Sequence, residues 1–306
     1  MKMIPPLTIT DDKLVSSTVP ETDYAEWNSA TAYTVGQRVM RESLHRVYEC
    51  LAPNTNKAPE SNLVSVTDDP PPWLDLGSTN RWRMLVPDAN YQTSGASPLT
   101  VVIEPGERIT ALAIVGLEAD SISIEMRDAN DEVAWSFTET LRRRTTLTWS
   151  DYYFGKFGRK PSVLYQGLPP ISGATVTITI TRATGDVLCG PIVMGVPVDL
   201  GKVQTGATSG IRDFTRTERD AFGRALILRR KAVPKTSQRT TVFKDQVPRV
   251  RDALSAQRGK AAVFVGVEDS SSGYFDALLV LGLINNWEVS LDFFGHSNLS
   301  IDLEGL

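Results

Sequence analysis

The chain has 306 residues, 41% of them hydrophobic and 22% charged, which is enough apolar material for two or three cored domains. Its formal charge of −4 creates no global field toward nucleic acid or an anionic membrane. With two histidines, two cysteines and no HExxH, CxxC, GxSxG or P-loop pattern, it offers no metal centre, no cofactor site and no catalytic residue to nominate.

The opening stretch "MKMIPPLTITDDK" lacks the roughly 7–15-residue apolar segment of a secretory signal. Residues 1–26, with Pro5, Pro6 and Pro20, read as an extended N-terminal arm, either loose or laid as a docking strand on a neighbouring subunit. Residues 27–86 form a short unit rich in aromatics. In it "YTVGQRVM" and "HRVYECL" alternate as strands around the turn "RES", followed by loop chemistry and by Trp73 and Trp82.

Residues 87–200 read almost wholly as β. "LTVVIE" and "ITALAIVG" flank the turn "PGER", and "SISIEMR" turns through "DAND" into "EVAWSF". "ATVTITITR" is the cleanest strand, with Val176, Ile178 and Ile180 on one face. Strands at this spacing predict an antiparallel, jelly-roll-like β-sandwich.

Residues 201–306 predict an α+β domain dominated by antiparallel strands. "ALILRR", "TTVFK", "AAVFVGV", "FDALLVLG", "NNWEVSLDFF" and "SNLSIDLEGL" are its strands. "QVPRVRDALSAQRG" is its one helix, with Val250 and Leu254 inward and Gly259 as the stop. The longest apolar run, "YFDALLVLGLI", falls short of the roughly 20 residues a spanning helix needs, so membrane insertion is not expected. Cys50 and Cys189 fall in different domains, so no disulfide is expected, in keeping with synthesis in a reducing cytoplasm.

Trp27, Tyr33, Gly36, Val39, Tyr48, Pro59 and Trp73 follow one another in an order that resembles the small carbohydrate-binding modules of chitinases and cellulases. In such a unit, bulky aromatics supply most of the buried area. Members that bind chitin carry paired aromatics soon after the position of Tyr48, as a platform for sugar rings. Here that stretch is "ECLAPNTNK", with none. Tyr24, Trp73 and Trp82 remain as candidate glycan-stacking residues.

Further motifs resemble tail proteins of long-tailed bacteriophages that carry a galactose-binding-like sandwich. They are "NRWRML" leading into "PGERITALAIVGLEADSISIEM", the aromatic run "WSDYYFGKF", "GIRDFTRTERDAFGRALILRR", and the terminal "NNWEVSLDFFGHSNLSIDLEGL". The resemblance spans residues 80–306 and implies a virion component near the tail tip or baseplate, made in the bacterial host cytoplasm.

Two segments read as interfaces. Residues 211–251 hold twelve Lys and Arg against four acids, yet few aromatics interleave them, so protein partners fit better than nucleic acid. Arg216, Arg219, Arg229 and Arg230 are the candidates there. "LRRRTTLTWSDYYFGKF" combines arginines with Trp149, Tyr152 and Tyr153, the composition of an interface hot spot. The acidic turns "EPGER", "DAND" and "TDDPP" satisfy turn backbone and select no pair of carboxylates about 5–10 Å apart, so no glycosidase is expected. The expected function is structural: docking to other tail proteins, as a homo-oligomer in a symmetric ring, with β modules displayed outward. Recognition of a host cell-surface glycan is the alternative, and a carbohydrate-active enzyme the weakest reading.

Overall fold

The computed structural model describes residues 1–64, 70–88, 91–143, 148–155, 157–219, 222–269, 272–291 and 295–306. Strands make up 47% of it and helices 10%, so the fold is mainly β.

In the small unit, Arg38–Arg41, Arg46–Cys50 and Trp73–Ser78 form a three-stranded antiparallel sheet, and Ala32–Tyr33 pairs with Asn54–Thr55. Tyr33, Val39, Tyr48, Cys50 and Trp73 fill its core. Gly36 turns the chain at φ +85°, a conformation that costs glycine little and other residues much.

The sandwich sets a five-stranded sheet against two three-stranded ones. The larger sheet runs in the order Val133–Thr140, Ser121–Arg127, Thr175–Thr181, Leu99–Ile103, Leu14–Ser17. Alternation in Thr175–Thr181 buries Val176, Ile178 and Ile180 and turns the threonines outward. Those three pack with Leu112, Ile114 and Val163 from the opposing layer. The strands flanking "PGER" do not form a hairpin. Leu99–Ile103 lies in the five-stranded sheet, whereas Ala111–Val115 pairs with Ser162–Gln166 and Ile192–Gly195 on the other side.

Ala111–Val115 is buried on both faces, which explains its unbroken apolar run. Leu112 and Ile114 enter the sandwich core; Ala111 and Ala113 meet Ile4, Val263, Phe275 and Leu281. The small alanine side chains let a third layer approach. That layer is an eight-stranded sheet ordered Val198–Asp199, Lys2–Ile4, Ala262–Val265, Leu279–Ser290, His296–Gly305, Val233–Phe243, Lys202–Val203, with Thr208–Arg212 also on Val233–Phe243. The Val247–Ala256 helix covers its far face through Val250 and Leu254, and Gly259 follows at φ +70°.

Four sequence expectations need correction. Residues 1–26 are no free arm. Lys2–Ile4 is an interior strand between Val198–Asp199 and Ala262–Val265, and Leu14–Ser17 edges the sandwich, so this segment laces two layers of its own chain. The small unit ends nearer Ser78 than residue 86, because Trp82, Met84 and Leu85 belong to the sandwich core. "FDALLVLG" opens with a short helix, Phe275–Leu278, before the strand begins. The expected domains 87–200 and 201–306 share a core across the Ala111–Val115 strand, so they are stacked layers. The end of "NNWEVSLDFF", residues 292–294, lies outside the described residues, as does Arg144.

Hydrogen exchange on the purified chain should find the Lys2–Ile4 amides protected like those of Ala262–Val265, where a loose arm would exchange at once. Cys50 and Cys189 are free and buried, and burial pushes the Cys189 thiol up to about 12. Among the described residues no helix is long and apolar enough to cross a membrane.

Candidate interaction surface

The sequence offers three places where the chain could meet another molecule: the aromatic module, the "WSDYYFGKF" run and the basic segment. The module's aromatics turn inward. Trp73 is 0% exposed, donates its indole N–H to the Lys57 carbonyl at 2.9 Å and meets Tyr33 edge-on at 5.2 Å. Trp82 is 2% exposed. His45 stacks on it at 3.8 Å and its indole N–H donates to Glu21 at 3.1 Å. Both expectations of glycan stacking are therefore corrected, because neither ring has a face left for a sugar. Trp73 is the module's core, and Trp82 is its seat on the sandwich. Of the three candidates only Tyr24 is exposed, and the Arg38 guanidinium already lies 6.0 Å from its ring centre.

The "WSDYYFGKF" run behaves in the opposite way. Trp149–Phe154 forms a helix of six residues with none buried. Two turns are too few to hold a helix by backbone hydrogen bonds alone. A capping box helps: the Asp151 N–H donates to the Thr148 hydroxyl at 3.1 Å, and the Thr148 N–H donates back to the Asp151 carboxylate at 3.0 Å. Tyr152, Tyr153 and Phe154 are consecutive, about 100° apart around the axis, so they cannot all face one core. Trp149 is 79% exposed and Phe154 85%, and Tyr152, Tyr153 and Phe157 are exposed as well. Trp149 meets Tyr152 edge-on, as Tyr152 does Tyr153, so the rings form one connected surface.

The base of this projection is fixed. Arg142–Arg143 pairs with Gly158–Arg159 as a short ribbon. Asp120 grips both of its strands, accepting from Arg142 at 3.2 Å and from Arg159 at 3.0 Å, and takes the Ala183 N–H at 2.8 Å. Arg142, the Ala183 amide and Arg159 hold the Asp120 carboxyl well below the usual carboxylate range. Arg143 reaches Asp276 of the third layer at 3.1 Å.

Beside the ribbon is a cavity of about 300 Å³, lined by Phe137, Glu139, Lys160, Tyr165 and Asp276 among others. Both of its acids are already engaged, Asp276 by Arg143. Glu139 accepts from Lys160 and from the Tyr165 hydroxyl at 2.9 Å, and burial, then the Glu139 charge, pushes that phenol well above its ordinary range.

Arg216 and Arg219 lie on a two-stranded ribbon, Arg216–Arg219 against Ala225–Leu228, in which every residue is exposed. Arg229 and Arg230 continue it and are exposed too. The seven interface candidates thus occupy two separate projections, one aromatic and one basic.

Sequence reasoning missed Asp120 and the apolar side of the basic ribbon. "ALILRR" looks like an ordinary core strand, yet Leu226, Ile227 and Leu228 are all exposed. The flanking arginines were the available signal, since a short apolar strand that runs straight into Arg229, Arg230 and Lys231 sits poorly in a core. Comparison of the sequence with protein-family models and with curated proteins finds no match.

Proposed function

We propose that the chain is a structural component of a bacteriophage tail tip or baseplate that works by docking to other tail proteins, without transforming any molecule. The observation that carries the docking is the aromatic helix Trp149–Phe154, none of whose residues is buried, beside a ribbon that Asp120 pins. Large exposed aromatics cost solubility and are typical of contact sites. Set on a capped helix, they also lose less conformational freedom on binding than they would on a loose loop. The resemblance of residues 80–306 to long-tailed phage proteins supplies the virion setting. Many copies in a symmetric assembly would make a modest contact effective.

The glycan reading keeps one of its three residues, Tyr24, which lacks a second ring to complete a platform. It is the weaker reading.

Antibodies against the chain should label the tail tip of virions from the encoding genome in electron micrographs; label elsewhere, or none, sinks the proposal. Trp149→Ala combined with Tyr153→Ala should leave the thermal melt unchanged, since both side chains are exposed. It should weaken incorporation into tails by about 2 kcal/mol or more, the scale of a hot spot.

A further inference from the structure

Val133–Thr140 is the last strand of the five-stranded sheet. One side pairs with Ser121–Arg127 and, among the described residues, no strand pairs with the other. It is eight residues long, six of them exposed, and its sequence "VAWSFTET" contains no proline or lysine. Natural sheets blunt such edges with those residues, since open N–H and C=O groups recruit another strand. This edge is left open, and it is acidic. Residues 128–139 carry Asp128, Asp131, Glu132 and Glu139 and no cation; Arg127 pairs with Asp131 and Lys160 with Glu139, so the net charge of the edge rests on Asp128 and Glu132.

The basic ribbon is the complement. Residues 211–231 carry seven cations against three acids. The ribbon has only two strands and shows Leu226, Ile227 and Leu228 to solvent. A two-stranded hairpin is marginal in water and gains from a third strand. Its Ala225–Leu228 strand has one side on Arg216–Arg219 and, among the described residues, no strand on the other. Among the described residues neither edge has a second strand, and the two match in charge, in apolar content and in open backbone groups.

We infer that the basic ribbon of one copy adds as an extra strand to the Val133–Thr140 edge of a second copy. The contact joins two different patches, so it is head-to-tail: it repeats from copy to copy and closes into a ring if the rotation allows. Main-chain hydrogen bonds would give affinity, while the arginines against the acidic edge set orientation and partner. The inference deepens the assembly reading above and rests on it only for closure into a ring.

The test uses two full-length double variants at exposed positions. Ala134→Lys with Ser136→Lys puts cations on the edge; Leu226→Glu with Leu228→Glu puts anions on the ribbon. Sedimentation of the wild-type chain should show association that rises with concentration and weakens in high salt. Each variant, with an unchanged circular dichroism spectrum, should need more than about tenfold higher concentration to associate. Mixed together, the intact ribbon of the first variant meets the intact edge of the second, and the two altered surfaces carry opposite charge, so association should return toward that of the wild type. A wild type that stays monomeric, variants that associate like wild type, or a mixture that stays monomeric would each overturn the inference. None of these results touches docking through the aromatic helix, which the virion labelling decides separately.

Discussion

Replacing Trp73 by alanine is expected to open the small module while the sandwich stays folded. The module's core is five buried residues, of which Trp73 is the largest and wholly enclosed. The substitution removes its contact with Tyr33, the hydrogen bond to the Lys57 carbonyl, and the side chain opposite Cys50 in the sheet. Loss of a buried tryptophan costs about 3–5 kcal/mol. A core this small supplies only about that much in total. Limited proteolysis should therefore gain cuts within residues 27–78 and leave the sandwich strands Leu99–Ile103, Ser121–Arg127 and Thr175–Thr181 as resistant as in the wild type, since they belong to a separate core. The matched control is Tyr24→Ala, an exposed change whose cost should stay within about 0.5 kcal/mol. The pair also separates folding from sugar binding. A lectin would lose its ligand in the Tyr24 variant with the module intact, whereas a scaffold would show no binding to lose.

Local periodicity made the strands and the helix legible. "ATVTITITR" alternates because one face is buried, and Val250 and Leu254 recur one turn apart because one side of their helix is covered. "ALAIV" breaks alternation because it is sandwiched between two layers, a signal present in the sequence. The Lys2–Ile4 strand was not legible. Three residues carry no period, and their partners Ala262–Val265 lie at the far end of the chain. Trp73 and Trp82 misled for another reason: an indole suits a core or a sugar platform equally, and only the surrounding fold decides. The aromatic projection was the readable part of the site, since the three consecutive aromatics Tyr152, Tyr153 and Phe154 cannot share one buried face of a helix. Its anchor was not readable. Nothing about "EADS" distinguishes Asp120 from a turn acid until Arg142, Arg159 and Ala183 converge on it.

Asp120→Ala is expected to release the aromatic projection while leaving the sandwich core in place. The carboxylate accepts two charge-assisted hydrogen bonds and one from a backbone amide. Bonds to charged groups contribute about 1.5–3 kcal/mol each. Arg142 and Arg159 are partly exposed, so water would recover much of theirs and leave about 1 kcal/mol or less from each. Adding the orphaned Ala183 amide, the total is about 3 kcal/mol. Amides of residues 142–143 and 157–159 should then exchange faster, with Thr175–Thr181 unchanged. Asp120→Asn, which keeps one acceptor and loses the charge, should fall between the two. Acid should reproduce the effect without mutation. Because folding depresses the Asp120 pKa, its stabilisation is complete above the unfolded carboxylate value of about 4 and is lost as pH falls through the lower folded value. The projection should therefore stay protected down to about pH 4 and loosen only below it. Projection exchange that is indifferent to both the substitution and acid would mean that Asp120 does not hold the ribbon, and the aromatic helix would lose the rigidity on which its docking role depends.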